Sequence, residues 1–166
     1  MFRKMRRKNC ELNLETAKKI LREGNFGVLS LLGDENYCYG VPLNYAVEGN
    51  KIYFHSAKFG HKLDAIKNNE KVSFCVVDCH EVVVEEFTSY FTSAIAFGKI
   101  KILDDSEVKE KKIALELLAD KYCSNANSEM REKELSRVNA VSIFVLEIEN
   151  LTGKAARELI RDKKIS

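Results

Sequence analysis

The chain has 166 residues, 45% of them hydrophobic and 31% charged, which suits one domain (1–166) with a sizeable core. Lys and Arg number 27 against 25 Asp and Glu, so a net charge of +2 gives no basis for nucleic-acid or membrane-surface binding. No run of about 18 apolar residues occurs, and no membrane-spanning helix is expected.

A basic run, Arg3-Lys4-Met5-Arg6-Arg7-Lys8, opens the chain. Asn9-Cys10-Glu11 follows it where a signal peptide would place apolar residues, so a cytoplasmic protein is expected. The run reads as a solvated arm (1–12) or, if it does more, as a means of neutralising an anionic ligand across a subunit boundary. The five cysteines, Cys10, Cys38, Cys75, Cys79 and Cys123, are odd in number and dispersed, which points to reduced thiols.

Apolar Leu14, Ala17, Ile20 and Leu21 form a helical stripe, with Asn13 placed to cap it and Gly24 to end it. Residues 26–32 read as a strand and 33–36 as a turn. Residues 37–47 read as one further strand, and Glu48-Gly49-Asn50 turns it into 51–55. A short helix over 61–68 would bury Leu63 and Ile66. Strands are expected at 72–77 and 93–103, with 81–92 irregular between them. A helix from 104 to about 122 would carry Val108, Leu115, Leu118 and Ala119 on one side. A polar helix over about 128–137, a strand over 141–148 and a charged helical tail over 154–166 complete the chain. Consecutive strands joined by tight turns predict a mainly antiparallel sheet, which at this density tends to close into a barrel.

The chemistry concentrates in Ile52-Tyr53-Phe54-His55-Ser56-Ala57-Lys58-Phe59-Gly60-His61-Lys62-Leu63-Asp64. A strand ends, a loop turns through Gly60, and a helix begins near His61. Helix starts leave N–H groups unpaired and carry partial positive charge, so they attract anions. Ser56, His61, Lys58 and Lys62 add a hydroxyl, an imidazole and two ammonium groups. That combination suits a phosphate monoester, although a lysine-rich surface turn would read similarly.

Together with Tyr39-Gly40-Val41-Pro42-Leu43-Asn44-Tyr45, this stretch resembles the nitroimidazole-reductase-like branch of the pyridoxamine 5'-phosphate oxidase-like superfamily. Two more segments match in order and spacing: Phe87-Thr88-Ser89-Tyr90-Phe91-Thr92-Ser93-Ala94-Ile95-Ala96-Phe97-Gly98, and Leu151-Thr152-Gly153-Lys154-Ala155-Ala156-Arg157. The resemblance implies an FMN-binding split β-barrel, antiparallel and Greek-key-like with flanking helices, and a homodimer holding FMN between its subunits. It implies that Ser56, His61 and Lys62 hold the phosphate, with Lys58 and Gly60 in the same loop. Pro42, Leu43, Asn44 and Tyr45 would line the isoalloxazine ring, partly through main-chain groups. His55 and Ala57 would flank that pocket, and Tyr90 and Ser93 would approach from another strand. Lys58-Phe59 and Phe91 depart from the family pattern, which bears on pocket shape and substrate choice. The C-terminal Arg/His motif of relatives that make pyridoxal phosphate is missing, so that activity is not expected.

The implied function is an FMN-dependent oxidoreductase that takes electrons from NAD(P)H and reduces a small organic acceptor, nitroaromatics among them. Two alternatives stay open: a flavin-binding or sensing module without turnover, and a haem or other tetrapyrrole binder on the same barrel. No catalytic residue is assigned. Cys75-x3-Cys79-His80 lacks paired CxxC spacing, so no metal is expected there.

Overall fold

Asn13 caps the first helix as its sequence context predicts. Its side-chain oxygen accepts a hydrogen bond from the Thr16 N–H at 2.8 Å, and Ala17, Ile20 and Leu21 form the buried stripe. The computed structural model describes residues 2–136, 138–162 and 165. In chain order the elements are β1 (Glu11–Leu12), α1 (Leu14–Glu23), β2 (Gly27–Leu32), β3 (Cys38–Leu43), β4 (Ala46–Glu48) and β5 (Lys51–Ser56). They continue with α2 (His61–Asn68), β6 (Lys71–Val83), β7 (Thr88–Ile102), α3 (Val108–Tyr122), α4 (Ser128–Ser136), β8 (Ser142–Ala155) and α5 (Arg157–Arg161).

The strands form one antiparallel sheet in the order β3-β2-β6-β7-β8-β5-β4, with β1 beside β8. The edge strands β3 and β4 are consecutive in the chain and separated only by Asn44 and Tyr45. The two ends of the sheet must therefore meet, and the sheet curls into a split β-barrel with helices on its flanks. β2 alternates buried and exposed residues, as a strand with one solvated face should. Inside the barrel Phe54 stacks on Phe144 at 5.1 Å, and Phe74 presents its ring edge-on to Phe54 at 5.0 Å and to Tyr45 at 4.7 Å.

Five expectations need correcting. Residues 37–47 are two strands broken at Asn44-Tyr45. Residues 81–92 are mostly ladder, because β6 and β7 pair out to Val83 and Thr88 as one long hairpin around a single 3-10 turn. The third helix starts at Val108, since the Asp104 carboxylate accepts the Ser106 N–H at 2.7 Å and holds the preceding residues in a turn; it buries Lys111, Ala114 and Leu118 and leaves Val108 exposed. β8 runs on to Ala155, so only the short α5 remains of the predicted helical tail, and 163, 164 and 166 lie outside the described residues, as does 137 at the end of the predicted polar helix. The last residues of the expected arm are also part of the sheet, as β1.

A second, smaller core lies on the outer side of β5 and β8. Tyr53, Ile143 and Val145 point outward there and are covered by Leu103 and by Ala114 of α3. The Lys51 ammonium, 2.7 Å from Glu110, and the Tyr53 hydroxyl, which donates to the same carboxylate at 3.2 Å, fasten α3 to the barrel. Between β7 and β8 the register slips by one residue at Phe97–Gly98, leaving Glu149 of β8 as a β-bulge. A Cβ at Gly98 would lie 1.9 Å from the Glu147 carbonyl oxygen, so the bulge excludes any other residue. Among the described residues, no helix is long and apolar enough to cross a membrane.

Candidate functional site

The β5–α2 turn follows from its residues. Leu63, Ala65 and Ile66 bury one face of α2 against the barrel, which leaves the helix start at the surface. Gly60 supplies the corner with φ +135°, a conformation closed to L side chains, and nothing lies within 4 Å of where its Cβ would be. The start of α2 has no side-chain cap. Ser56 is half-buried and its hydroxyl donates to the Ala57 carbonyl at 2.9 Å; Ala57 and Lys58 are exposed, and Lys62 is half-buried. His61 stacks on Tyr39 with ring centres 4.2 Å apart, and its Nε2 lies 3.5 Å from an Asp34 carboxylate oxygen. The imidazole is thus held against the β2–β3 turn.

Asn44 and His55 come together. Extending the β4–β5 register, in which Ala46 faces Tyr53, sets Asn44 across from His55. Both line a cavity of about 550 Å3 roofed by α3 and α4. The Asn44 amide donates to the Asn25 carbonyl at 3.3 Å. Burial holds the His55 imidazole below the ordinary histidine range although its side chain opens to solvent.

Tyr45 does not fill the role expected of it. Its side chain is 0% exposed, its hydroxyl donates to the Leu21 carbonyl at 2.6 Å, and its N–H and C=O are both met by the Tyr122 hydroxyl. It is a core residue, with neither ring nor main chain left for a ligand. Leu43 also packs largely inward.

Pro42 points the other way, onto the outer face of the sheet. The registers align Pro42, Val28, Cys75, Ile95 and Thr152 in one cross-strand row. Ser93 lies on the same face in the next row, between Val77 and Lys154. Tyr90 is buried, and its hydroxyl donates to Glu86 at 2.9 Å. One chain does not bring Ser93 to the β5–α2 turn. Ser56 faces Ser142 at one end of β8 and Ser93 faces Lys154 at the other, ~35–40 Å apart along an extended strand.

Lys154 is a residue that the sequence reading passed over. Its ammonium lies 5.5 Å from the centre of the Phe91 ring, and with Arg7 and Arg157 it lines a cleft of about 520 Å3 beside Ser89. Its place in the matched Leu151-to-Arg157 segment was the available signal. The cavity-lining part of α3 and α4 carried none, because its contacts with Asn44 and His55 are distant in sequence.

A comparison with curated protein sequences found no match. Among solved structures, the fold resembles a candidate 5-nitroimidazole antibiotic resistance protein from Bacteroides thetaiotaomicron, at 22% identity and TM-score 0.73 over 87% of this chain and 86% of that one. It also resembles a FAD-binding protein from Mesorhizobium loti (23% identity, TM-score 0.64, 88% and 96% covered). A third is a flavocytochrome from Azotobacter vinelandii (16%, TM-score 0.69, 92% and 72%). Residues 13–155 match the model of the pyridoxamine 5'-phosphate oxidase family, and the chain belongs to that family.

Proposed function

We propose that the protein is an FMN-binding flavoprotein that works as a homodimer, takes electrons from NAD(P)H and passes them to a small organic acceptor, nitroaromatics among the candidates. The observation that carries this reading is the β5–α2 turn. It joins an uncapped helix start to Ser56, Lys58, His61 and Lys62 within one short stretch of chain, around a glycine with nothing within 4 Å of where its Cβ would lie. This donor set fits a phosphate monoester. The relatives support a flavin as the rest of the ligand, since one is a FAD-binding protein and another a flavocytochrome.

FMN, when bound, supplies the redox chemistry. The protein's part is to bind and orient. Ser56, Lys58, Lys62 and the first N–H groups of α2 hold the phosphate, with His61 fixed beside them by Tyr39. Asn44 and His55 offer side-chain hydrogen bonds near the ring, with Ala57 beside them. Pro42 and Ser93 belong to the other half of the site, on the outer sheet face. Because one chain keeps Ser93 far from the β5–α2 turn, a second copy completes the site, with the outer face of one subunit set against the turn of the other. Exposed Val28, Val77 and Phe97 make that face apolar enough for subunit contact. Arg7, Lys154 and Arg157 then add positive charge near the boundary.

Titration of the purified protein with FMN and with FAD, followed by anaerobic addition of NADH or NADPH, tests this reading. Yellow protein that bleaches and is reoxidised by a nitroarene is the expected result. Protein that stays colourless at saturating flavin overturns flavin binding, and a Soret band instead points to a tetrapyrrole. Yellow protein that never bleaches overturns the enzyme and leaves a flavin-binding module.

A further inference from the structure

Flavin binding does not account for the cavity under α3 and α4. Its walls are apolar, built from Leu115, Leu118 and Ala119 of α3, Met130 and Leu135 of α4, and Val141. Tyr122 contributes ring rather than hydroxyl, because the hydroxyl is turned onto the backbone of Asn25 and Tyr45. At the rim, Arg131 is paired with Asp120. His55 and Asn44 thus provide the uncharged polar groups at one end of a hydrophobic chamber. Its volume, about 550 Å3, falls in the range of small-molecule sites.

We infer that this cavity binds an uncharged, largely apolar aromatic molecule, with His55 and Asn44 as its polar contacts. An ionised ligand would give up its hydration here without finding a free counter-charge. The inference deepens the flavoprotein reading and rests on it only for the ligand's role as electron acceptor. Asn44 and His55 border both sites, so an occupant of the chamber lies next to the residues proposed to flank the ring. α3 and α4 then act as the selector that admits neutral arenes and rejects carboxylates.

Binding is measured on flavin-free protein, so it can fail separately from flavin titration. The probe is Nile red, whose emission rises on transfer to an apolar site, with 1-nitronaphthalene and 1-naphthoate as competitors of like shape and different charge. Cys123 lines the chamber and is exposed, whereas Cys38 and Cys79 are exposed elsewhere. Mass mapping of alkylation on the wild-type protein therefore locates the ligand. The expected results are displacement by 1-nitronaphthalene at concentrations at least tenfold below those needed for 1-naphthoate, and protection of Cys123 with Cys38 and Cys79 unprotected. Ala119→Trp, which fills the chamber, should weaken binding at least tenfold. Equal competition by 1-naphthoate, unprotected Cys123, or unchanged binding in a folded Ala119→Trp protein would each overturn the inference. If that variant does not fold, the Cys123 map of the wild type decides.

Discussion

The hydroxyl of Tyr122, the last residue of α3, lies 3.0 Å from the backbone nitrogen of Tyr45 and 2.9 Å from its carbonyl oxygen. It is also 2.7 Å from the Asn25 carbonyl, so one proton serves two acceptors. This hydroxyl clasps a helix end to the link between the two edge strands. Tyr122→Phe removes the clasp and leaves the Tyr45 main chain unmatched, at a cost of ~1–3 kcal/mol. The urea midpoint should fall with an unchanged slope. A midpoint equal to wild type would show that the clasp contributes nothing.

Lys62→Glu places negative charge at the uncapped start of α2. The fold should survive, because the side chain is only half-buried, while FMN affinity falls at least tenfold, which is about 1.4 kcal/mol. Equilibrium dialysis measures it, with far-ultraviolet circular dichroism as the control. Unchanged flavin retention would put the phosphate elsewhere.

Val77→Arg puts charge onto the apolar outer face two residues from Cys75 on β6. Val77 is 56% exposed in the single chain, so the monomer should tolerate the change. Sedimentation velocity should shift from dimer to monomer, and flavin content should drop in parallel because Ser93, its register partner, belongs to the second half of the site. A monomeric variant that keeps its flavin would mean that one chain suffices.

Two neighbours contribute to stability at alkaline pH in opposite directions. Burial brings the Lys121 ammonium from its ordinary 10.5 down to about 8. Between those values the unfolded chain holds more protons than the folded one, so stability rises with pH. Tyr45 is shifted the other way: burial raises its phenol above 10, so beyond pH 10 the unfolded chain ionises first and stability falls. Melting temperature should therefore climb from pH 8 towards 10 and then decline. Lys121→Met should flatten the climb, and a climb of equal size in that variant would assign it to other groups.

Locally determined features were legible in the sequence. The bounds of α2 follow from Gly60, the apolar spacing of Leu63 and Ile66, and the turn at Asn69; the cap at Asn13 is likewise a matter of neighbouring residues. The outer half of the β6–β7 hairpin was not legible. Val82 and Val83 are consecutive rather than alternating, one exposed and the other half-buried, so the ladder and not a buried face holds them extended. Tyr45 was misread for a related reason. The sequence shows an aromatic residue in a pocket motif, but the break at Asn44 turns it into the barrel, where Leu21 and Phe74 meet it. Its partner Tyr122 stands far along the chain, and no local pattern announces such a contact. Division of the site between two ends of β8 is also invisible to motif spacing, which records order and not direction.

Among the described ladders none joins β3 to β4, so the wall of the barrel is completed at that seam by covalent continuity and by side-chain bonds at the Asn44-Tyr45 link, the Tyr122 hydroxyl among them. Every other boundary is stitched by rows of main-chain bonds and resists parting. Thermal breathing should concentrate where stitching is thinnest, and that place is the rim of the chamber containing Asn44. Admission of a guest and loosening of the wall become the same small movement, available without disturbing the aromatic stack inside.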